Sequence, residues 1–492
     1  MQNYVRSRYK VNKSTYFQLL TEEQKSEIFS ASLEILERTG AKIFDEESKE
    51  ILKEGGCWVD GDLVKIPVGI SEWAVRSAPS KIHLYDRLGN IKMVLGGRNT
   101  YYGPGPTNTY HRDPYTGERR RPVLSDTENV GKVCDALPNI DFVQDLGTPT
   151  KVTDTLSDVH AFHALVKNTT KPIVHWGFDI HQYKAIVDSA AAVVGGMENL
   201  QKRPFLCLYS EPSSPLLHSR EAIGKAVFAA RNKIPIVYTP CVISGATTPA
   251  TLAGTIALGI AESLVGIVVS QLVRKGAPII MGGVYGIMDM KTTVFSYGSP
   301  EFHLMQAGIA EVAHFMDVPV FGTAGCTDAH ILDGQAAAEA TMSIYMAALS
   351  GANLVHDSGY TGSGACGSLE QLVMVDEIIA MVRRYMRGIE VNDETLVLDV
   401  VNKVGPGGHF LLEPHTMENF KKETWFPTLM NRMRHHGWMN DAGGTSMGDR
   451  IKVKLHDILK QHKAQPLSDD VVKKLDEIIA AAEKQEAAKR KK

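Results

Sequence analysis

Six polar or reactive side chains crowd the segment VPVFGTAGCTDAHILDGQAAAEA, which runs from Val318 to Ala340: Thr323, Cys326, Thr327, Asp328, His330 and Asp333. Apolar residues open the segment as a strand, and Ala, Gln and Glu close it as a helix. A second apolar run, ANLVHDSGY from Ala352, ends on His356, Asp357 and Tyr360. Imidazoles and carboxylates set this close together can move a proton, orient one another or hydrogen-bond a carboxylate. His330, His356 and Asp328 are therefore the candidate catalytic groups. A zinc site from Cys326, His330 and His356 is the competing reading. The six cysteines are scattered, however, with no Cys-x-x-Cys pair, so the thiolate pairs of strong zinc motifs are missing and no metal is expected. His160, His163, His303 and His314 fall in helical runs and are expected to be structural or solvated.

Other apolar runs end in the same way. Their exits carry Gln144 and Asp145; His175 and Trp176; Tyr209 and Glu211; Tyr238, Thr239 and Cys241; and Tyr285. Several of these are aromatic, and TYYGPGPTNTY adds Tyr102 and Tyr110. Aromatic faces attract cations, and aromatic cages recognise quaternary ammonium groups. Tyr102, Trp176, Tyr209, Tyr285 and Tyr360, with Glu211 as counter-charge, are the candidate substrate-binding set. The alternative is that these rings pack layers of a core or cap loops. The glycine-rich GYTGSGACGS after His356 suits either an anion cradle or a closing loop.

Elements that could bring these exits together are legible in the chain. Strand-like runs begin near Ile140, Lys171, Arg203, Ile234, Ala277, Val318 and Ala352, with helical segments such as SREAIGKAVFAARNK between them. SPEFHLMQAGIAEVAHFM starts with Ser299 at the cap and Pro300 at the first helical position. Apolar strands alternating with helices indicate a parallel sheet. An eighth strand is expected at GHFLLEP, from Gly408. Eight such units make a (β/α)8 TIM-type barrel, in which the C-terminal strand ends form the active-site face. A doubly wound open sheet is the alternative, weakened because no Gly-x-Gly-x-x-Gly follows the first strand.

Residues 1–130 read as an α+β N-terminal region packed on the barrel. Thr21 and Gln24 there stand at capping-box spacing, and DLVKIP and KIHLYDRLGNIKMVLGG read as short strands. Residues 131–415 are the catalytic barrel and 416–492 a helical C-terminal extension.

Bulk properties exclude several classes. A net charge of −3, with 43% hydrophobic and 22% charged residues, gives no field for nucleic acid or an anionic membrane. The opening MQNYVRSRYKVNKSTYF lacks the apolar core of a secretory signal, and scattered cysteines suit a reducing, cytoplasmic compartment. From Pro249 to Gln271 the only charge is Glu262, long enough to cross a bilayer. Its Gly, Ala and Thr content and its place in the alternation predict a buried helix instead.

Several ordered motifs then carry a resemblance. GTAGCTDAHILDGQAAAEA, GANLVHDSGYTGSG and VGPGGHFLLEPHT, preceded by YSEPSSPL and TPCVISGATTPATLAG, closely resemble the trimethylamine:corrinoid methyltransferase family over nearly the whole chain. The resemblance implies a cytoplasmic (β/α)8 enzyme of anaerobic one-carbon metabolism. It implies methyl transfer from an amine to the Co(I) corrinoid (cobalamin) of a separate, cognate corrinoid protein, with no cofactor tightly bound to this chain. Trimethylamine methyltransferases carry pyrrolysine in mid-barrel, whereas every residue here is standard. That departure resembles glycine betaine:corrinoid methyltransferases. The expected substrate is thus a quaternary amine: glycine betaine, giving dimethylglycine, with proline betaine, carnitine and γ-butyrobetaine as rivals. A barrel lyase or hydrolase using His330 or His356 as base, and a betaine-binding protein without transfer, are the other-class alternatives. A homo-oligomer is expected.

Overall fold

A computed structural model describes residues 15–489; the stretch read above for a leader lies almost wholly outside the described residues. Seven parallel strands form one curved sheet in the order Tyr101–Tyr102, Leu354–His356, Val320–Thr323, Ile279–Gly282, Ile236–Tyr238, Leu206–Ser210 and Ile173–Trp176. Residues 141–143 close it. The Asp141 N–H donates to the Tyr102 carbonyl at 2.7 Å on one side, and Val143 pairs with Ile173 on the other. The result is an eight-stave barrel, with staves buried on both faces as parallel sheets demand.

The eighth stave is not where the sequence suggests. GHFLLEP forms no strand, and Leu411 and Leu412 are 76% and 84% exposed. The place is taken by Tyr101–Tyr102, contributed from within the first 130 residues and only two residues long. So short a run carries no periodicity to read.

Side chains alternate along each stave. Tyr101, Phe142, Val174, Cys207, Tyr209, Val237, Ile280, Phe321 and Leu354 point into the barrel, and Trp176 packs against them. Their neighbours face the surrounding helices. A hairpin, Ile82–Tyr85 with Ile91–Leu95, inserts Ile82, Leu84, Met93 and Leu95 into the same interior. The Val94 N–H donates to the hydroxyl of Tyr101, at the start of its stave. This plug fills the N-terminal end and leaves the C-terminal ends of the staves as the approach to the interior.

The helices begin where the sequence signals them. Thr21 and Gln24 form a capping box on Glu22–Glu34, and Ser299 caps Pro300–Phe315. The apolar segment folds as helix Leu252–Val273, the one described helix long and apolar enough to cross a membrane. Sixteen of its 22 residues are buried in the core. Its Glu262 accepts from Ser214 Oγ at 2.7 Å and the Leu216 N–H at 2.6 Å.

Candidate active site

Inside the C-terminal end of the barrel, His356 is the pivot. It ends its stave and is buried. Its ring stacks on Phe321 with centroids 4.1 Å apart. Nε2 lies 3.1 Å from Thr323 Oγ1 on the neighbouring stave, and Nδ1 lies 2.6 Å from Asp357 Oδ1. That second contact is an ion-pair distance off the line of a hydrogen bond, so both Asp357 oxygens lack a hydrogen-bond partner. Asp357 adopts a left-handed φ of 69°, a sparsely populated state for a residue with a Cβ. Gly105 makes room for it: a Cβ there would sit 2.0 Å from Asp357 Oδ1.

Aromatic rings and further carboxylates surround this pair. Tyr209 lies 6.2 Å from the His356 ring, 5.3 Å from Phe321 and 6.0 Å from Trp176, centroid to centroid. Its hydroxyl donates to Glu211. Burial pushes the Glu211 carboxyl up, opposed by that hydrogen bond. Tyr360 donates to the Pro106 carbonyl, and burial, then the Asp357 charge, raises its hydroxyl well above the usual range. Gln144 donates to the Pro104 carbonyl at 3.0 Å, while its own Oε1 has no partner. Burial and the neighbouring Asp158 charge raise Asp145 to about 7. Asp158 is raised to about 6, again chiefly by burial.

Sequence reasoning missed Lys225, which is buried on helix Arg220–Asn232. Its ammonium lies 4.0 Å from the Trp176 ring centroid and donates to the Gly177 carbonyl at 2.8 Å. Burial lowers it to about 8. One face of Trp176 is thus already occupied by the protein's own cation. A signal existed: Lys225 falls in line with Ala222 and Ala229 on the helix's buried face.

The remaining sequence candidates lie elsewhere. His330 is exposed, outside the barrel, and only its carbonyl is engaged, accepting from Arg112 at 2.6 Å. The structure does not bring it beside His356. Asp328 staples loops, accepting from Ser296 Oγ, the Tyr297 and Gly298 N–H groups and Ser363 Oγ at 2.6–3.0 Å. Tyr102 and Tyr285 face outward. Tyr102 joins the core between barrel and helices, and Tyr285 packs on Gly259 of the long apolar helix. Parity along a stave sets this: Tyr101, not Tyr102, points inward. Trp176, Tyr209, Glu211, Tyr360 and His356 are the candidates that gather at the C-terminal end.

Three of the four helical histidines have local partners, whereas Nδ1 of the buried His303 has no hydrogen-bond partner. His163 meets Ser189 Oγ at 2.9 Å, His314 the Ser350 carbonyl at 3.0 Å and His160 Glu483 at 2.8 Å. Among the described residues, no group of three His, Cys, Asp or Glu is placed to hold a metal.

A site with Asp145, Asp158, Asp357 and Glu211 against a single lysine is short of positive charge. Comparison with known proteins shows the family. The family model for trimethylamine methyltransferase (MTTB) matches residues 1–487. The chain belongs to this family. Trimethylamine methyltransferase MttB of Desulfitobacterium hafniense is 34% identical over 94% of this chain and 93% of its own. The glycine betaine methyltransferase of the same species is 30% identical over 94% and 97%. Among solved structures, the monomethylamine methyltransferase MtmB of Methanosarcina barkeri covers 92% of each chain with a TM-score of 0.50 at 13% identity, a likeness of fold. This family member is accordingly a methyltransferase on a (β/α)8 scaffold.

Proposed function

We propose that this methyltransferase moves a methyl group from glycine betaine to the Co(I) corrinoid of a partner protein, releasing dimethylglycine. The observation that carries the reading is the excess of buried and half-buried carboxylate at the open end of the barrel, beside the inward faces of Tyr209 and Trp176. Buried carboxylates without counter-charge are costly. A quaternary ammonium supplies the missing cation, and its methyl groups suit an aromatic surface. The standard-residue sequence supports a quaternary over a tertiary amine. A quaternary nitrogen is already positive, so the C–N electron pair returns to it as the methyl departs and a neutral amine leaves with no proton required.

The Co(I) corrinoid, when presented by its partner, supplies the nucleophile that takes the methyl. This chain's residues bind and aim. Tyr209, fixed by Glu211, and Trp176, backed by Lys225, present rings to the ammonium. His356, set by Thr323 at Nε2 and with no hydrogen-bond partner at Nδ1, is the donor available to the carboxylate end of the ligand. Anchoring both ends holds one N–CH3 bond in line and excludes water, a task of proximity and orientation. The plugged N-terminal end leaves the stave C-termini as the side on which a corrinoid would be met.

The test is an anaerobic assay with reduced free cobalamin and a panel of glycine betaine, proline betaine, carnitine, γ-butyrobetaine and the three methylamines. Cobalt methylation from glycine betaine is expected, with none from trimethylamine, dimethylamine or monomethylamine. Turnover of trimethylamine would overturn the proposal.

A further inference from the structure

Lys225 is the one group at the candidate site whose charge has the wrong sign for drawing in a cation. Its ammonium faces two rings, 4.0 Å from the Trp176 centroid and 5.3 Å from that of Tyr183. The Gly177 carbonyl accepts from it at 2.8 Å. Gly177 is itself pressed against Tyr183, where an added Cβ would lie 2.5 Å from the ring. Glu211, Asp158, Asp179 and Glu221 surround the ammonium, and their charges oppose the effect of burial. Burial lowers it only to about 8, so at neutral pH Lys225 is still mostly charged.

Trp176 stands half-buried at the end of its stave, with Lys225 on one face and Tyr209 6.0 Å away. A pocket bordered by Glu211, Asp357, Asp145 and Asp158 draws in any cation. By itself it also repels a ligand that brings a carboxylate of its own. Carboxylates alone would therefore rank a bare quaternary ammonium above a betaine. A fixed positive charge behind the ring wall works against that ranking.

We propose that Lys225 is a specificity-determining residue, whose charge behind Trp176 selects zwitterionic betaines over quaternary amines that lack a carboxylate. The inference rests on the reading of this site as one for a quaternary ammonium. An ammonium held at Tyr209 and Trp176 lies on the order of 8 Å from Lys225 Nζ, the sum of two cation–π separations. At that distance and an effective dielectric of about 20, the repulsion of a bare cation lowers its affinity on the order of tenfold or more. A betaine meets the same repulsion at its nitrogen, but its carboxylate, close by, is attracted and restores most of the loss. The indole keeps Lys225 from pairing directly with that carboxylate. Lys225 thus sorts ligands by net charge and leaves their orientation to His356.

Isothermal titration calorimetry at pH 7 with glycine betaine and with tetramethylammonium, which has no carboxylate, tests this in the absence of any corrinoid. The parent should bind glycine betaine the more tightly. Lys225→Met and Lys225→Gln both remove the charge, and Gln keeps a donor for the Gly177 carbonyl. In each, the preference for glycine betaine should shrink about tenfold, chiefly because tetramethylammonium binds more tightly. A packing role alone would weaken both ligands alike and leave their ratio unchanged. Variants with an unchanged far-ultraviolet circular dichroism spectrum are compared. An unchanged ratio in a folded variant overturns the inference, and so does a parent that prefers tetramethylammonium, whether or not the variants fold. A parent that binds neither ligand overturns the quaternary-ammonium reading itself, and the inference with it.

Discussion

Asp145 offers the sharpest test of the electrostatics of the site. Its carboxyl is 3% exposed, and burial followed by the Asp158 charge raises its pKa from 3.8 to about 7. The folded chain therefore keeps a proton that the unfolded chain releases. The stability conferred by that proton is complete below pH 3.8 and is lost as pH rises through about 7. With about 1.36 kcal/mol per pKa unit, the loss is on the order of 2 kcal/mol at pH 5 and on the order of 4 kcal/mol at pH 8.5. Asp145→Asn is neutral throughout and lacks this slope. The variant should gain on the order of 2 kcal/mol on its parent between those two pH values, read from urea unfolding by circular dichroism. Asp158 and Glu262 titrate in both proteins, so their contributions largely cancel. Saturating glycine betaine at pH 8.5 should narrow the gap, because its cation offsets the ionised carboxylate in the parent and has nothing to offset in the variant. Parallel pH dependences would refute the reasoning.

Tyr209→Leu should weaken glycine betaine binding about tenfold by calorimetry, the loss of a cation–π contact of order 1 kcal/mol, whereas Tyr209→Phe should retain most of it; equal losses would place the ammonium elsewhere. His356→Asn should weaken betaine binding at least tenfold while sparing choline, which lacks the carboxylate, and His330→Ala should change neither; a matched loss of both ligands in His356→Asn makes the imidazole structural. Tyr285→Phe should raise stability by roughly 1 kcal/mol with unchanged binding, because its buried hydroxyl has no partner. A lowered unfolding midpoint would mean that the hydroxyl is satisfied after all.

The alternation of apolar strands with helices was legible because burial on both faces leaves long uninterrupted runs, and seven staves lie where those runs fall. The same burial erased the parity. In a stave with no polar side, nothing marks which of Tyr101 and Tyr102 faces inward, and the eighth stave was too short to register at all. The opening stretch VPVFGTAGCTDAHILDGQ shows a second limit. Its polar residues are mostly joinery: Thr327 donates to Glu339 at 2.5 Å, Asp328 ties two loops and Asp333 caps helix Gly334–Ser350. Only Thr323 reaches His356. Residue type cannot distinguish a carboxylate that holds a turn from one that meets a ligand, since both need an acceptor near a strand exit. Lys225 was hidden for the opposite reason, because lysine on a helix is ordinarily a solvated residue.

Under the proposed reaction, the charge that draws the substrate in is also what the reaction removes. Before transfer, the ammonium is held by Coulomb attraction to a carboxylate-rich pocket and by ring faces whose pull depends on a full positive charge. As the methyl leaves, the electron pair returns to nitrogen and both attractions collapse together, while the hold on the carboxylate end is unchanged. The product amine would then be tethered at one end and loose at the other. Asp145 and Asp158, whose carboxyls burial raises to about 7 and 6, are again short of a counter-charge. Until the new amine takes up a proton, such a site binds the substrate cation far better than the neutral amine it generates, which favours product release.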